Sequence, residues 1–486
     1  MKSNNKKQHK YVSLLSVLMV FFSAFAVFAL VIFLLAFIHR IGKLPEGQYD
    51  LITLADTPVA YVLVSSIFVI ALVLLVLIFR AIWTLNNPTT VMVTIQYVDQ
   101  SGNFVQVTKQ IDDYKEYKKQ RKANKHRFQK LTMLDKQYPM KQHIVTTDGL
   151  TLEYICRRFR SFCSNIEGNP LYYSIRDIRR WFANMGVSKI VMLQGMSGTG
   201  KTSLPVAFGK FIQNQTCVVP VQPMWKERSD LLGYFNEFTG KFNESMILEK
   251  LYEANKSDNV FIIILDEVNI ARIEYYFAEF LSLLELPSAD ERWLEVTSSI
   301  SKDDPKEFRI GKLKLADNIW FVGTANNDDS TFSISDKVYD RSMVMNLDYR
   351  CEPFVSDDDK EPINLSMPYL QNLYTKAKKE YSLTKRGRMH IREFDDYLRT
   401  TFSITFGNRI RRQIQNYIPI YIACGGTEAE AIDDIITMKV LRKLESQNPV
   451  FIKSKSEEII SKLDDIFGLD TMPVSKQYVR KLASSI

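Results

Sequence analysis

The chain has 486 residues, 46% of them apolar, and 63 lysines and arginines against 55 aspartates and glutamates give a formal net charge of +8. That length accommodates two or three domains with a sizeable core, and no repeat or low-complexity tract interrupts it. The five cysteines (156, 163, 217, 351 and 424) are scattered and odd in number, and the five histidines (9, 39, 126, 143 and 390) do not cluster. A disulfide framework, a Cys/His zinc centre and an H-E-x-x-H protease are thereby excluded, and reduced structural thiols are expected.

Residues 1–10 form a basic leader. Residues 11–39 and 57–80 are each almost wholly apolar. Either exceeds the roughly 20 residues that cross about 30 Å of hydrocarbon, so two transmembrane helices are expected. A signal peptide is the alternative for the first, but its apolar run is far longer than an h-region of about 7–15 residues. Lys2, Lys6, Lys7 and Lys10 precede the first span and Arg80 closes the second, while the loop between holds Arg40 and Lys43 against Glu46, Asp50 and Asp56. The positive-inside rule then puts both termini on the cytoplasmic side of the inner membrane.

Residues 84–150 read as a juxtamembrane region. Val91–Val98 alternates like a strand, Asp99-Gln100-Ser101-Gly102-Asn103 supplies turn chemistry, and Phe104–Val107 returns. From Asp112 to about Met133 the sequence reads as a basic helix, dense in cations from Lys115 to Lys130. This run fits a solvated helix face, a contact with anionic lipid, or a contact with nucleic-acid phosphates. A further helix is expected over Leu152–Phe162.

Lys189–Leu193 reads as a buried strand, and Ser203–Gly209 opens a helix. Between them, Gly195-Met196-Ser197-Gly198-Thr199-Gly200-Lys201-Thr202 matches G-x-x-x-x-G-K-[ST]. Glycines at 195, 198 and 200 let successive N–H groups of the loop, with Ser197, Thr199 and Ser203, face a β-phosphate at a helix N-terminus. Lys201 reaches the β/γ-phosphate oxygens, and the Thr202 hydroxyl suits Mg²⁺. The loop predicts nucleotide binding.

Hydrolysis needs a second set of residues. Phe261–Leu265 reads as a strand buried on both faces, ending in Asp266-Glu267. Asp266 is expected to hold Mg²⁺ through water, and Glu267 to polarise the attacking water. Asn318–Val322 is another apolar strand, leading through Gly323-Thr324-Ala325 to Asn326-Asn327. In a doubly wound sheet the ligand lies beyond the strand ends, so Asn326, or Asn327 in its place, is expected to orient the water. Cys351–Pro368, with Asp357-Asp358-Asp359, reads as an exposed loop.

Together these motifs resemble the AAA+ ATPases, and finer detail resembles their McrB-like and MoxR-like branch. Val221-Gln222-Pro223-Met224-Trp225 with Asp230–Asn236 is similar to V-x-P-x-W…D-L-x-G-Y-x-N. Asp266-Glu267-Val268-Asn269 with Ala278–Glu285 is similar to D-E-[IV]-N-R followed by the E-L-L-x-L-[LM]-E helix, and Gly323–Asn326 to the sensor 1 motif G-T-M-N. The resemblance spans roughly residues 187–445. It implies an α/β parallel sheet flanked by helices (151–380), an α-helical lid (381–486), and a ring, expected as a hexamer. It makes Asn326 the sensor 1 residue and Arg341, of the pair Asp340-Arg341, an arginine finger acting on the neighbour's nucleotide. It also makes Arg409, in Phe406-Gly407-Asn408-Arg409, a sensor 2 residue contacting the γ-phosphate, with Arg411 and Arg412 as competitors. Glu291–Gly311 takes the place of the branch's β-hairpin insertion, which faces a partner or substrate.

Two departures matter. Ile270 stands where the branch has Arg, and Asn326-Asn327-Asp328-Asp329 replaces the N-T-A-D tetrad that accompanies GTP use. ATP is therefore the expected substrate and GTP the alternative. The implied activity is ATP-driven remodelling of an unidentified protein effector by a membrane-anchored ring, as in McrB-like anti-phage defence. A MoxR-like maturation chaperone and a nucleotide-gated membrane scaffold with slow hydrolysis are the alternatives.

Overall fold

The structure of the chain, a computed structural model, describes residues 71, 74–82, 91–98, 104–111, 126–147, 149–298, 301–326, 331–356 and 358–484, the stretches 91–98 and 104–111 by backbone alone. These fall into two compact units, 1–123 and 124–486. In the first unit, residues 74–82 are helical and expose Leu74, Leu75, Val76, Leu77, Ile78 and Phe79. The expected span 11–39 and most of 57–80 lie outside the described residues. Among the described residues no helix is long and apolar enough to cross a membrane. The expected hairpin is present as β1 (Val91–Val98) and β2 (Phe104–Ile111), antiparallel with Val98 opposite Phe104.

The second unit begins with α1 (Gln129–Gln137). Of the helix expected over Asp112 to about Met133, residues 112–125 lie outside the described residues, 126–128 are not helical, and Gln129–Met133 falls in this helix. Its start is set by the Glu244 carboxylate, which accepts the N–H groups of Gln129, Lys130 and Leu131, each at 2.9 Å. Three otherwise unmatched donors of a helix N-terminus are satisfied there. α2 (Leu152–Ser164) and α3 (Ile175–Val187) follow, capped by the Thr151 and Ser174 side chains.

The α/β core then alternates β3 (Ile190–Gly195), α4 (Ser203–Phe211), β4 (Cys217–Pro220), a short α5 (Arg228–Leu232), a hairpin of β5 (Gly233–Asn236) and β6 (Lys241–Glu244), α6 (Met246–Asn255) and β7 (Phe261–Asp266). After α7 (Ile273–Tyr276) and α8 (Ala278–Leu283) come three short strands, β8 (Trp293–Glu295), β9 (Phe308–Arg309) and β10 (Lys312–Lys314), paired antiparallel in the order β8-β10-β9. β8 and β9 fall within Glu291–Gly311, the segment expected to form a hairpin insertion, and β10 follows it. β11 (Ile319–Asn326), α9 (Asp336–Arg341) and β12 (Met343–Asn346) complete the core.

The main sheet is parallel throughout, in the order β12-β3-β11-β7-β4. Its side chains alternate between two apolar layers. Val191, Leu193, Ile262, Ile264, Trp320 and Val322 enter one, and Ile190, Met192, Phe261, Ile263, Phe321 and Val344 enter the other. Register places Asn326 beside Gly195, and Gly323 beside Leu265. The phosphate-loop end of β3, the acidic end of β7 and the polar end of β11 therefore share one edge.

Six helices close the chain: α10 (Met367–Glu380), α11 (Lys385–Phe402), α12 (Asn408–Ala423), α13 (Glu428–Lys439), α14 (Pro449–Phe467) and α15 (Pro473–Ser484). The helical region starts at Met367 rather than at 381. The segment before it is irregular, as expected, but not simply exposed: Ile363 and Leu365 are buried, and the Ile363 N–H donates to the Phe211 carbonyl at 2.8 Å. Two apolar side chains are enough to pin a stretch whose prolines and aspartates signal a loop. The helices bury Leu370, Phe394, Ile414, Ile436 and Leu463 into the same apolar layer as β3 and β11.

A buried ionic cluster joins the two regions. Arg176 of α3 meets Asp434 of α13 at 2.7 Å and Asp433 at 3.2 Å, and Arg180 also meets Asp434. Asp433 is fully buried and accepts the N–H groups of Val474 (2.9 Å) and Ser475 (2.8 Å) at the start of α15. Removing Asp433 leaves the Val474 and Ser475 N–H groups unmatched and breaks one buried pair, with Arg176 keeping only Asp434. The Asp433→Ala protein should therefore lose about 3–5 kcal/mol of stability, read as a lower denaturant midpoint, while Asp433→Asn loses less.

Candidate nucleotide site

The loop between β3 and α4 needs glycine where its backbone turns. Gly195, Gly198 and Gly200 have φ of 142°, 77° and 91°, a region that other residues enter only with strain. A Cβ at Gly195 would stand 2.4 Å from the Leu347 carbonyl oxygen, and one at Gly200 would stand 2.8 Å from the Tyr173 hydroxyl. Side chains outside the motif hold the loop in shape. The Tyr173 hydroxyl donates to the Gly200 carbonyl (3.0 Å) and Arg350 Nε to the Gly198 carbonyl (2.9 Å). Burial pushes the Tyr173 phenol well above its ordinary pKa, so it stays a neutral donor. Nothing in the sequence motifs marks either residue; only the folded path brings them to the loop.

Lys201 is buried, and its Nζ donates to the carbonyls of Gly195 (2.9 Å) and Met196 (2.7 Å). Thr199 Oγ1 donates to the Met196 carbonyl at 3.0 Å. Ser203 opens α4, whose first turn donates Leu204 N–H to the Gly200 carbonyl at 3.0 Å. Ser197 is exposed in the loop.

The sheet edge brings the other expected residues together. Thr202 Oγ1 donates to Asp266 Oδ1 at 2.7 Å, and Thr324 Oγ1 donates to the same oxygen at 2.7 Å. The Glu267 N–H in turn donates to Thr324 Oγ1 at 3.0 Å, and Asn326 Nδ2 donates to Glu267 Oε1 at 3.2 Å. Glu267 adopts a left-handed backbone (φ 57°, ψ 54°), which costs about 1 kcal/mol or more in a non-glycine residue and is retained where surroundings enforce it. Asn269 steadies the end of β11, its Nδ2 donating to the Asn326 carbonyl and to Thr331 Oγ1, each at 2.8 Å. Thr324 thus joins the two acids, a role its place in Gly323-Thr324-Ala325-Asn326 only hints at. Asn327, the expected substitute for Asn326, lies outside the described residues.

Among the described residues no three His, Cys, Asp or Glu side chains group to hold a metal. A hydroxyl in direct contact with a carboxylate is nevertheless a fitting oxygen pair for Mg²⁺, which takes one or two protein ligands and completes its shell with phosphate oxygens and water. Beside the loop a cavity of about 440 Å³ opens between the start of α3, the chain after β12, and α13 and α15, with Ser174, Asp348, Arg350 and Tyr417 in its wall.

The two arginines expected to meet the γ-phosphate lie elsewhere. Arg341 Nε pairs with Glu285 Oε2 at 2.9 Å, and Arg409 pairs with the other oxygen of the same carboxylate. Both line a cavity of about 280 Å³ with Lys189, Arg292 and Arg412. The Arg341 carbonyl accepts from Ser188 Oγ at 3.0 Å, before β3 begins, whereas the loop follows its end. At about 3.3 Å per strand residue, that is roughly 20 Å away. Neither arginine meets the loop of its own chain, so the expected Arg409 contact does not form within one chain. Arg411 is held by Asp395 at 3.0 Å.

Comparison with known proteins finds matches over part of the chain. Residues 190–342 match the family model of the AAA domain (dynein-related subfamily), and residues 363–486 match a domain of unknown function (DUF8727). A curated relative is the type IV methyl-directed restriction enzyme EcoKMcrB subunit of Escherichia coli K12, 22% identical over 183 residues, which cover 36% of this chain and 39% of that one. The chain thus spans less than half the length of that relative. Among solved structures, a protein from Cytophaga hutchinsonii ATCC 33406 designated an ATPase is 15% identical, with a TM-score of 0.39, over 60% of this chain and 88% of that one. A full-length MCM homolog from Methanopyrus kandleri is 10% identical, with a TM-score of 0.32, over 62% of each chain. Residues 190–342 of the α/β core are thus similar to AAA domains of the dynein-related subfamily, and part of the chain is similar to the EcoKMcrB subunit.

Thr324→Val keeps the shape of the side chain and removes its oxygen. Loss of a hydrogen bond to a charged group is commonly worth about 1.5–3 kcal/mol, so nucleotide turnover should fall about ten- to hundred-fold. Nucleotide affinity, read by fluorescence titration, should change little.

Proposed function

We propose that the chain is a membrane-anchored AAA+ ATPase whose ring, expected as a hexamer, couples ATP hydrolysis to the remodelling of a partner protein. The contact of Asp266 with both Thr202 and Thr324 carries this reading, since it assembles a phosphate loop, a metal-side carboxylate and a water-activating glutamate at one sheet edge. The loop N–H groups and Lys201 bind the β- and γ-phosphates. Thr202 and, through water, Asp266 would hold Mg²⁺, which would supply neutralisation of phosphate charge. Glu267 accepts the proton of the attacking water, and Asn326, donating to Glu267, holds that carboxylate in line.

Arg341 and Arg409 then serve a nucleotide held by a neighbouring copy. Their place at the opposite end of the sheet from their own loop, together on Glu285, supports this reading. An arginine supplied between subunits is commonly worth about 10³-fold or more in rate. The similarity to McrB favours a restriction or defence motor acting with a separate effector over the maturation and scaffold readings. ATP is the assigned substrate.

Glu267→Gln should abolish phosphate release and leave ATP binding intact. Equal turnover in the two proteins would remove the assignment of Asp266 and Glu267. Membrane anchoring is supported by the apolar segments 11–39 and 57–80 and by the exposed apolar side chains of residues 74–79. The full chain should accordingly stay in the pellet after alkaline carbonate extraction of membranes, and a chain starting at residue 124 should be released.

A further inference from the structure

Gln194 stands at the end of β3, immediately before the first glycine of the phosphate loop, and is 6% exposed. Its carboxamide uses both ends. Nε2 donates to the Tyr339 hydroxyl, and Oε1 accepts from Arg442 Nη1 at 2.8 Å. These two partners also touch each other, the Arg442 guanidinium carbon lying 3.2 Å from the centre of the Tyr339 ring. Tyr339 sits two residues before Arg341 in α9.

The turn that carries Arg341 is held from the helical region. Lys439 Nζ donates to the carbonyls of Tyr339 (2.6 Å) and Ser342 (2.5 Å), and Gln413 Nε2 donates to the Asp340 carbonyl at 3.1 Å. Its backbone is thus gripped by α12 and α13, while a side-chain link to the phosphate loop runs through the Tyr339 ring, Arg442 and Gln194, alongside the backbone path of β12 on β3. On the loop side, freedom is limited too. The Gln194 carbonyl accepts the Leu347 N–H at 2.8 Å, and the Leu347 carbonyl oxygen fills the space a Gly195 Cβ would need.

We propose that Gln194 is a positioning residue that couples each chain's own phosphate loop to the arginine it presents to the next subunit. This inference rests on the reading of Arg341 as an arginine acting between subunits. A change of loop shape on phosphate binding displaces Gln194 with Gly195. The displacement reaches Tyr339 and Arg442 together, because the amide is donor to one and acceptor to the other. The turn bearing Arg341 follows, and hydrolysis in the neighbouring site senses occupancy of this one. Coupling of this kind appears as cooperativity between sites.

The test compares the full-length wild type with Gln194→Leu, Gln194→Glu, Arg341→Ala and the Gln194→Leu/Arg341→Ala double variant. Affinity for a fluorescent ATP analogue, the ATP dependence of turnover and the sedimentation coefficient are measured for each. Gln194→Leu should bind nucleotide within about two-fold of wild type and lower kcat about ten-fold, the cost of roughly 1.4 kcal/mol, with the Hill coefficient falling toward unity. Gln194→Glu keeps an acceptor for Arg442 and for a donating Tyr339 hydroxyl, and should restore most of the loss. The double variant should be no slower than Arg341→Ala alone, because Gln194 acts through Arg341. Multiplying losses in the double variant would overturn the coupling while leaving the arginine assignment standing. If Arg341→Ala turns over at the wild-type rate, the arginine assignment itself fails and the coupling with it. Should Gln194→Leu not fold, Tyr339→Phe, which removes one oxygen, takes its place with the same expected outcomes.

Discussion

The Asp266 carboxylate is where the parts of this molecule meet. One of its oxygens accepts hydroxyls from Thr202, at the start of α4, and from Thr324, near the end of β11. A carboxylate drawn into a partly buried sheet edge is tolerated where donors are fixed around it. The parallel register provides them, because it brings the ends of β3, β7 and β11 to one level. Once Asp266 is fixed there, Glu267 must leave the strand by a sharp left-handed turn, its N–H meeting Thr324 and its carboxylate meeting Asn326. The strain at Glu267 is thus a consequence of a register set by apolar side chains several residues away.

Much of this edge was legible in the sequence. Short apolar runs ending in Gly195, Asp266-Glu267 and Asn326 carry the pattern of buried parallel strands with polar tips, and the structure forms them as β3, β7 and β11. What could not be read were the supports that come from distant segments. Tyr173 and Arg350 grip the loop through its carbonyls, a contact that needs only a donor and leaves no residue pattern. Glu244 sets the start of α1 from more than a hundred residues away, a support that basic composition alone does not reveal. The irregular segment before Met367 misleads in the same way, since its prolines and aspartates advertise a loop while Ile363 and Leu365 are drawn into the core.

Arg409 shows a different limit. Its motif Phe406-Gly407-Asn408-Arg409 fixes a helix start but not the end of the sheet to which that helix is brought. The structure gives α12 a place beside α3, so that Arg409 shares the Glu285 carboxylate with Arg341. Two cations share that one carboxylate, and around the same cavity Arg292 and Lys189 pair with Asp317, at 3.1 Å and 3.7 Å, while Arg412 also lines the wall. With five cations against Glu285 and Asp317, the cavity carries net positive charge and attracts anions. The match of residues 190–342 to an AAA domain and of residues 363–486 to a separate model fits this division, because the cavity is lined from both regions.

The same division constrains how the two regions can move. The terminal helices share one continuous apolar layer with β3 and β11, and Arg176, Arg180, Asp433 and Asp434 form a buried ionic cluster across the contact. Separating the two regions would expose that layer and strip the cluster of its partners, each a cost of several kcal/mol. Large opening of the helical region is therefore disfavoured, and close-packed interiors pass on small displacements instead of absorbing them. Under that constraint a shift at the phosphate loop has to travel through contacts that persist while it occurs. The arginine-bearing turn is held by Lys439 and Gln413 on its carbonyls and by Arg442 on its tyrosine, so it moves with the helices and not apart from them. The helical region is thereby tied at once to the end of β3 beside the phosphate loop and to the turn that carries Arg341.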